Sequence, residues 1–99
     1  MSEPIYKAFR VSFSEAWYRL SKDDQKSLIA KVNDALERVG GKAVIPLCDS
    51  TWSNERWEFF GVEMYPDMAA LQKHSELLKA FDWARYHTHS TLIGTPTTV

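Results

Sequence analysis

The stretch from Trp57 to Leu71, WEFFGVEMYPDMAAL, decides the fold of this 99-residue chain. Its first nine residues are rich in aromatic and β-branched side chains, which is typical of a strand. Pro66 ends that strand, and Asp67 is a residue type that often caps the start of a helix. The stretch therefore predicts a strand that passes directly into a helix.

The same two kinds of element are predicted on both sides of this stretch: strands over residues 5–13, 43–47 and 88–95, and a helix from Ser21 to the Gly40-Gly41 pair. Pro46 has no N–H to donate to a neighbouring strand, so its strand belongs at a sheet edge. The order β-α-β-β-α-β is that of a ferredoxin-like α+β fold. We expect a four-stranded antiparallel sheet with the helices on one face and the first and third strands at its centre.

Length and charge limit the organisation and the partners of the chain. We expect one domain over residues 1–99, with a core over about 5–95 and a C-terminal tail over 95–99. The net charge of −1 does not provide the basic field that nucleic acid or an anionic membrane surface requires. No apolar run approaches the ~20 residues of a membrane span. We therefore expect neither nucleic acid nor membrane as a partner.

Short motifs exclude several classes of chemistry. Cys48 is the only cysteine, so an intrachain disulfide is impossible. The N-terminal residues have no charged-then-apolar signal segment, and a cytoplasmic location is expected. A glycine-rich phosphate loop, a serine nucleophile elbow and zinc-type spacing are all missing from the sequence, which argues against NAD, ATP and hydrolase chemistry. We expect no cofactor and no metal.

Both faces of the central strands carry large apolar side chains. Phe9 and Phe13 lie opposite Tyr6 in the first strand, and Phe59 lies opposite Phe60 in the third. Two helices cover only one face, so a monomer would expose several hundred Å² of apolar sheet, more than monomers usually tolerate. We therefore expect the uncovered face to pack against a second copy in a homodimer.

The length, the element order, the aromatic strand 57–62 and the strand-to-helix joint 65–71 together resemble the dimeric α/β-barrel superfamily. The resemblance covers roughly residues 5–95. Its members include antibiotic biosynthesis monooxygenases, polyketide cyclases such as olivetolic acid cyclase, muconolactone isomerase and haem-degrading monooxygenases. The resemblance implies two sheets in a barrel with helices outside, and a pocket between sheet and helices. It also implies an aromatic or polyketide-like ligand, often handled without a cofactor.

The histidines are the first candidates for chemistry. His74 shares a helical face with Leu71 and Leu78, so it is either hydrogen-bonded within the core or faces the pocket as a general acid or base. His87 and His89 have strand spacing, and His89, which lies deeper in the strand, is the second candidate. Together with His74 they could form a three-histidine metal site. No carboxylate or cysteine shares their local motif, which argues against that alternative.

Two charged residues lie on the central strands, where charges are unusual. Arg10 and Glu63 either form a structural ion pair, or Arg10 holds a substrate carboxylate or enolate while Glu63 orients it. Tyr65 lies on the same strand face as Glu63 and can donate a hydrogen bond to a substrate carbonyl. The candidate catalytic residues are therefore His74, His89, Arg10 and Tyr65.

Three aromatic residues, Trp57, Phe59 and Trp17, are expected to bind substrate together with Glu63 by flanking a planar ligand. The residues leave three functions open. The first is a proton-transfer enzyme of the cyclase, isomerase or monooxygenase type. The second is a non-catalytic dimeric protein with a ligand-binding or structural role. The third, implied by haem-degrading relatives in which a helix histidine can hold the iron, is haem binding through His74.

Overall fold

The structure is a computed structural model and describes residues 3–98. Along the chain its elements are β1 (Ile5–Phe13), α1 (Glu15–Tyr18), α2 (Lys22–Arg38), β2 (Lys42–Asp49), β3 (Phe59–Tyr65), α3 (Met68–Ala80), a 3₁₀ turn (Trp83–Tyr86) and β4 (His87–Gly94). Residues 1–2 and 99, at the ends of the predicted domain, lie outside the described residues.

The strands form one antiparallel sheet in the order β2-β3-β1-β4. The predicted ferredoxin-like α+β fold, with the first and third strands at the centre, is confirmed. β2 is an edge strand, and its pairing with β3 shifts register between Ala43 and Ile45 and again between Ile45 and Cys48. The second shift spans Pro46, whose missing N–H cannot continue the ladder.

Side chains predicted to cap the helices do so. The Ser21 side chain accepts a hydrogen bond of 3.1 Å from the Asp24 N–H at the start of α2, and the Asp67 side chain accepts one of 2.8 Å from the Ala70 N–H at the start of α3. After α2 the chain turns at Gly40, whose φ of 78° favours glycine. Within residues 3–98, the helices lack the length and apolar content needed to cross a bilayer.

The central strand β3 begins two residues later than the predicted start at Trp57. The N–H of Trp57 donates a 2.7 Å hydrogen bond to the Asn54 side chain, which places this residue in a turn rather than in the ladder. β2, in contrast, is longer than the predicted run 43–47 and extends over Lys42–Asp49. The hydrogen bond from Trp57 to the Asn54 side chain accounts for the later start of β3, and the period-2 pattern does not reveal it.

The core lies between the helices and one face of the sheet, here called the helix face. Its buried cluster consists of Ile5, Leu36, Tyr65, Ala70 and Leu71. Each large apolar side chain in such a position contributes about 1.5–3 kcal/mol relative to exposure. The core therefore holds α3 against the ends of β1 and β3.

The opposite side of the sheet, here called the open face, carries the residues that alternate with those of the core. Phe60, which pairs with Arg10 across β1 and β3, is 41% exposed, and Leu92 of β4 is 75% exposed. Edge-strand Ile45 is 43% exposed. The apolar open face expected from the sequence is therefore present in the folded chain.

The close approach of Gly61 to Phe9 generates a stability prediction. A Cβ atom at Gly61 would lie 2.9 Å from the tip of the Phe9 ring and 3.3 Å from the Ile45 carbonyl oxygen. We expect Gly61→Ala to lower the free energy of unfolding by about 1–3 kcal/mol, because the packed ring must move. Gly94→Ala is the matched control, since a Cβ there meets no described atom within 4 Å. Urea denaturation measures both, and equal midpoints would contradict the prediction.

Candidate functional site

A groove of about 480 Å³ lies on the helix face between α3 and β4. Its volume is within the range of small-molecule sites. Its walls are formed by Lys7, Leu71, Gln72, Ser75, Glu76, His89, Thr91 and Ile93. Two ionisable nitrogen groups, the Lys7 amine and the His89 imidazole, therefore share one concave surface.

Lys7 connects this groove to the interior. Its side chain is 17% exposed, and its Nζ lies 3.8 Å from Oε1 of Glu63, whose side chain is 12% exposed. Strand alternation explains the contact, because Lys7 and Glu63 pair directly across β1 and β3 and so point to the same face. The Glu63 carboxylate, on the interior side of the groove, therefore balances the positive charge of Lys7.

A chain of hydrogen bonds continues from Glu63 into the core. The Tyr65 hydroxyl donates to Glu63 Oε1 over 2.7 Å, and it lies 2.9 Å from Nδ1 of His74. Tyr65 is fully buried and His74 is 1% exposed. Nε2 of His74 has no hydrogen-bond partner among residues 3–98. The backbone of Val32 on α2 lies near enough to favour protonation of His74, but it does not complete a hydrogen bond to Nε2.

Burial controls the charge states in this chain. It lowers the pKa of His74 below its usual 6.5, with the Glu63 carboxylate opposing the shift and Lys7 adding to it. Burial also raises the pKa of Tyr65 above 10, and the nearby Glu63 carboxylate raises it further. At neutral pH, Tyr65 is therefore a neutral hydrogen-bond donor and His74 favours the neutral imidazole.

The structure brings together four of the residues singled out in the sequence. Glu63, Tyr65 and His74 form the buried chain, and His89 lies on the wall of the groove. His87, two residues earlier on β4, packs against the Trp83 ring with the centroids 5.0 Å apart, and its Nδ1 lies 3.1 Å from the Trp83 carbonyl oxygen. Whether any of these residues takes part in catalysis stays a prediction.

Arg10 does not join them. It alternates with Lys7 and Phe9 on β1, so its side chain lies on the open face, opposite to Glu63. There its guanidinium donates to Ser90 Oγ over 3.2 Å and lies 5.5 Å from the ring centroid of Trp57. The ion pair considered between Arg10 and Glu63 is therefore not formed, and Lys7 takes that place.

The aromatic residues expected around a ligand are also separated from the groove. Trp57 is on the open face with Arg10, while Phe13, Trp17, Phe59 and Trp83 pack into an aromatic cluster. Phe13 stacks on Trp17 with the ring centroids 4.3 Å apart. Because Trp17 is only 7% exposed, its ring serves the packing between α1 and the sheet.

The histidines within residues 3–98 are not arranged as the metal and haem alternatives require. Within residues 3–98, no group of three or more His, Cys, Asp and Glu side chains is arranged to hold a metal ion. His87 and His89 are neighbours, with ring centroids 5.2 Å apart, but His74 is in the buried chain. Its Nδ1 is engaged by Tyr65 and its Nε2 is enclosed, so His74 does not present a ligand for haem iron.

Sequence reasoning missed Lys7 as a site residue and Glu58 as a structural anchor. Lys7 interrupts the apolar face of β1, and that interruption is the signal that could have identified it. Glu58, the residue before β3, accepts 2.6 Å hydrogen bonds from the Phe13 N–H and the Tyr18 hydroxyl, and so joins the start of β3 to the end of β1 and to α1. No local motif predicts these partners, because Phe13 and Tyr18 are 45 and 40 residues away from Glu58 along the chain.

Comparisons with known proteins show the fold. No family model matches the chain, and a search of curated proteins finds no match. Among solved structures, a chlorite dismutase candidate matches 96% of this chain with a TM-score of 0.74 at 19% identity. The chain spans 46% of the length of that protein.

Two further structures match along nearly their whole length. One is a dabb family protein with a ferredoxin-like fold from Mesorhizobium loti, with a TM-score of 0.64 at 10% identity over 98% of this chain and 100% of the other. The other is SnoaB, a cofactor-independent oxygenase from Streptomyces nogalater, with a TM-score of 0.51 at 13% identity over 99% and 97% of the two chains. These likenesses agree with the superfamily resemblance at the level of the fold.

The buried neutral His74 predicts a pH dependence of stability. Its folded pKa lies below the unfolded value of 6.5, so the unfolded chain binds more protons as the pH falls through this window. The free energy of unfolding should therefore decrease as the pH falls below about 6.5, by at most about 1.4 kcal/mol per pH unit for one group.

Urea titrations between pH 5 and 8 measure this dependence. His74→Gln should have a shallower slope than the wild type, because the buried imidazole is gone. His89→Gln, which removes an exposed imidazole, is the control. Identical slopes for the wild type and His74→Gln would show that His74 is not held neutral by burial.

Proposed function

We propose that this chain is a small-molecule enzyme that performs cofactor-independent proton transfer on an aromatic or polyketide-like substrate. The reaction is of the cyclase, isomerase or monooxygenase type, and it takes place in the groove between α3 and β4. The observation that carries the proposal is a single groove that contains both a lysine ammonium, held from behind by Glu63, and an imidazole. The fold shared with a cofactor-independent oxygenase supports it.

Lys7 and His89 have separate roles in this proposal. Lys7 pairs with Ile93 on β4, so His89 is four residues further along that strand, or about 13 Å in backbone distance. One functional group of the substrate cannot contact both at once. Lys7 binds an anionic or carbonyl end of an elongated substrate, and His89 acts as the general base towards the other end.

Thr91 lies between these two ends on β4, and Ser75 of α3 also lines the groove. Their hydroxyls can donate to the oxygen of an enolate or phenolate as charge develops. In the cyclase and isomerase types, His89 removes the proton from carbon or from a phenol and returns it after rearrangement, so that protons balance without a cofactor. The monooxygenase type also needs O₂ as a co-substrate: one oxygen atom enters the substrate as a carbonyl, and two substrate hydrogens leave with the other oxygen atom as water. In this proposal Lys7 replaces Arg10 as the cationic residue, and the buried His74 does not contact substrate.

The wider setting is proposed from the sequence and the open face. We propose that the protein acts as a homodimer in which two open faces pack together, since these faces carry exposed Phe60, Leu92 and Ile45. The free thiol of Cys48 fits the cytoplasmic location expected from the sequence. A ligand-binding dimer without catalysis is the alternative, and it requires the same groove to bind without accelerating proton transfer.

4-Acetylbenzoate tests the catalytic proposal, because a benzene ring separates its carboxylate from its enolisable methyl carbon, so that the two groups can lie at the Lys7 and His89 ends of the groove. We expect the wild type to accelerate deuterium exchange at that carbon about 10²- to 10⁴-fold over buffer, the range of a positioned general base. His89→Gln should lose the acceleration but still bind. Lys7→Met should weaken binding about tenfold to hundredfold, because a charge-assisted hydrogen bond is lost.

Lys26→Met, at an exposed lysine on α2, is the matched control and should behave as the wild type. NMR follows both quantities, the exchange rate and the shifts of groove amides on titration. Binding in the groove without faster exchange would favour the non-catalytic dimer. Unchanged binding in Lys7→Met would refute the role given to this lysine.

Leu92→Asp tests the dimer. Leu92 is 75% exposed in the single chain, so an aspartate is tolerated by the fold but places an unpaired charge in the proposed interface, at a cost of several kcal/mol. Light scattering should show about 23 kDa for the wild type, twice the 11.4 kDa of the chain, and a monomer for the variant. Met68→Asp, at a 51% exposed residue of α3, should stay dimeric. A monomeric wild type at micromolar concentration would rule out the dimer.

A further inference from the structure

The buried chain behind the groove contains one proton whose position decides the others. The Tyr65 hydroxyl has a single hydrogen and lies within bonding distance of both Glu63 Oε1, at 2.7 Å, and His74 Nδ1, at 2.9 Å. It can donate to only one of them. An ionised carboxylate only accepts, whereas a neutral imidazole nitrogen donates or accepts according to its tautomer.

We propose that Glu63 and Tyr65 are positioning residues which fix His74 as the tautomer with its proton on Nδ1, so that every donor in the chain points towards the Glu63 carboxylate. In this arrangement the His74 Nδ1–H donates to the Tyr65 oxygen, and the Tyr65 hydroxyl donates to Glu63. The Lys7 ammonium approaches the same carboxylate oxygen at 3.8 Å. His74 then keeps a bare Nε2 in the interior.

The reverse arrangement is disfavoured by the contacts around Glu63. If Tyr65 donated to His74, its oxygen would turn a lone pair towards the Glu63 carboxylate at 2.7 Å, which is repulsive unless Glu63 is protonated. The neighbouring Lys7 ammonium opposes that protonation. The one feature in favour of the reverse is the Val32 backbone, which would attract a proton on Nε2, but no hydrogen bond to it is formed.

The consequence for the groove rests on the function proposed above. Glu63 accepts the Tyr65 hydrogen bond and lies 3.8 Å from the Lys7 ammonium, and its negative charge holds the lysine side chain at the wall of the groove. His74 thus acts through Tyr65 and Glu63, three residues away from any substrate. Its removal should affect the groove far less than the removal of Lys7.

The ¹⁵N resonances of the histidine side chains test this assignment directly, since protonated and bare ring nitrogens give well-separated shifts. At pH 8, where His74 is neutral, we expect the Nδ1–H tautomer of His74 in the wild type to exceed the other at least about tenfold, the effect of one hydrogen bond. A proton found on Nε2 of His74 would overturn the proposal.

Two variants test the cause. Glu63→Met removes the acceptor and releases the Tyr65 hydrogen to Nδ1, so the His74 proton should move to Nε2. Tyr65→Phe removes the partner of Nδ1 and should abolish the strong preference. Glu37→Met, at an exposed residue of α2, should leave the tautomer as in the wild type. An unchanged Nδ1–H tautomer in Glu63→Met would show that Glu63 does not set it.

The outcomes separate this inference from the proposed function. The tautomer is measured without any ligand, so its assignment is tested independently of 4-acetylbenzoate binding. If His74 carries its proton on Nδ1 but the groove does not bind 4-acetylbenzoate, the proposed function fails, and the hydrogen bonds among Glu63, Tyr65 and His74 serve the fold alone. If binding and exchange occur while the proton lies on Nε2, the groove functions without the positioning chain and the inference fails.

Discussion

A phenol hydroxyl in a small core imposes the tightest constraint on this structure. Tyr65 is completely buried, and an unsatisfied hydroxyl there would cost about 1–3 kcal/mol. Its partners come from two elements, Glu63 two residues earlier on β3 and His74 on the facing helix. For this contact, α3 must be oriented about its axis so that His74 faces the sheet. Asp67 caps the start of α3 only two residues after Tyr65, so the helix begins close to the end of β3.

The same constraint explains why a charged pair is tolerated at the edge of the core. The burial of the Glu63 carboxylate is compensated by one hydrogen bond from the Tyr65 hydroxyl and by the Lys7 ammonium 3.8 Å away. Lys7 remains 17% exposed because its long side chain reaches the groove. A continuous series of polar contacts therefore runs from His74 through Tyr65 and Glu63 to Lys7 at the groove.

Strand alternation divides the remaining chemistry between the two faces of the sheet. Odd-numbered residues of β1, such as Lys7, serve the helix face, and even-numbered ones, such as Arg10, serve the open face. Arg10 therefore lies with Trp57 and Ser90, away from the groove. A sheet of this kind can carry a ligand site on one face and an association surface on the other without either interfering.

The sequence by itself determined the order and type of the elements, the caps at Ser21 and Asp67, and the edge position of the strand with Pro46, because periodicity, capping and the missing proline N–H act locally. It also placed Glu63 and Tyr65 on one strand face. Only the tertiary structure decided that His74 meets Tyr65, that Lys7 rather than Arg10 pairs with Glu63, and that Trp17 and Phe59 pack away from the groove. Those contacts depend on strand register and helix rotation, which are set by packing across the whole core rather than by neighbours in the chain.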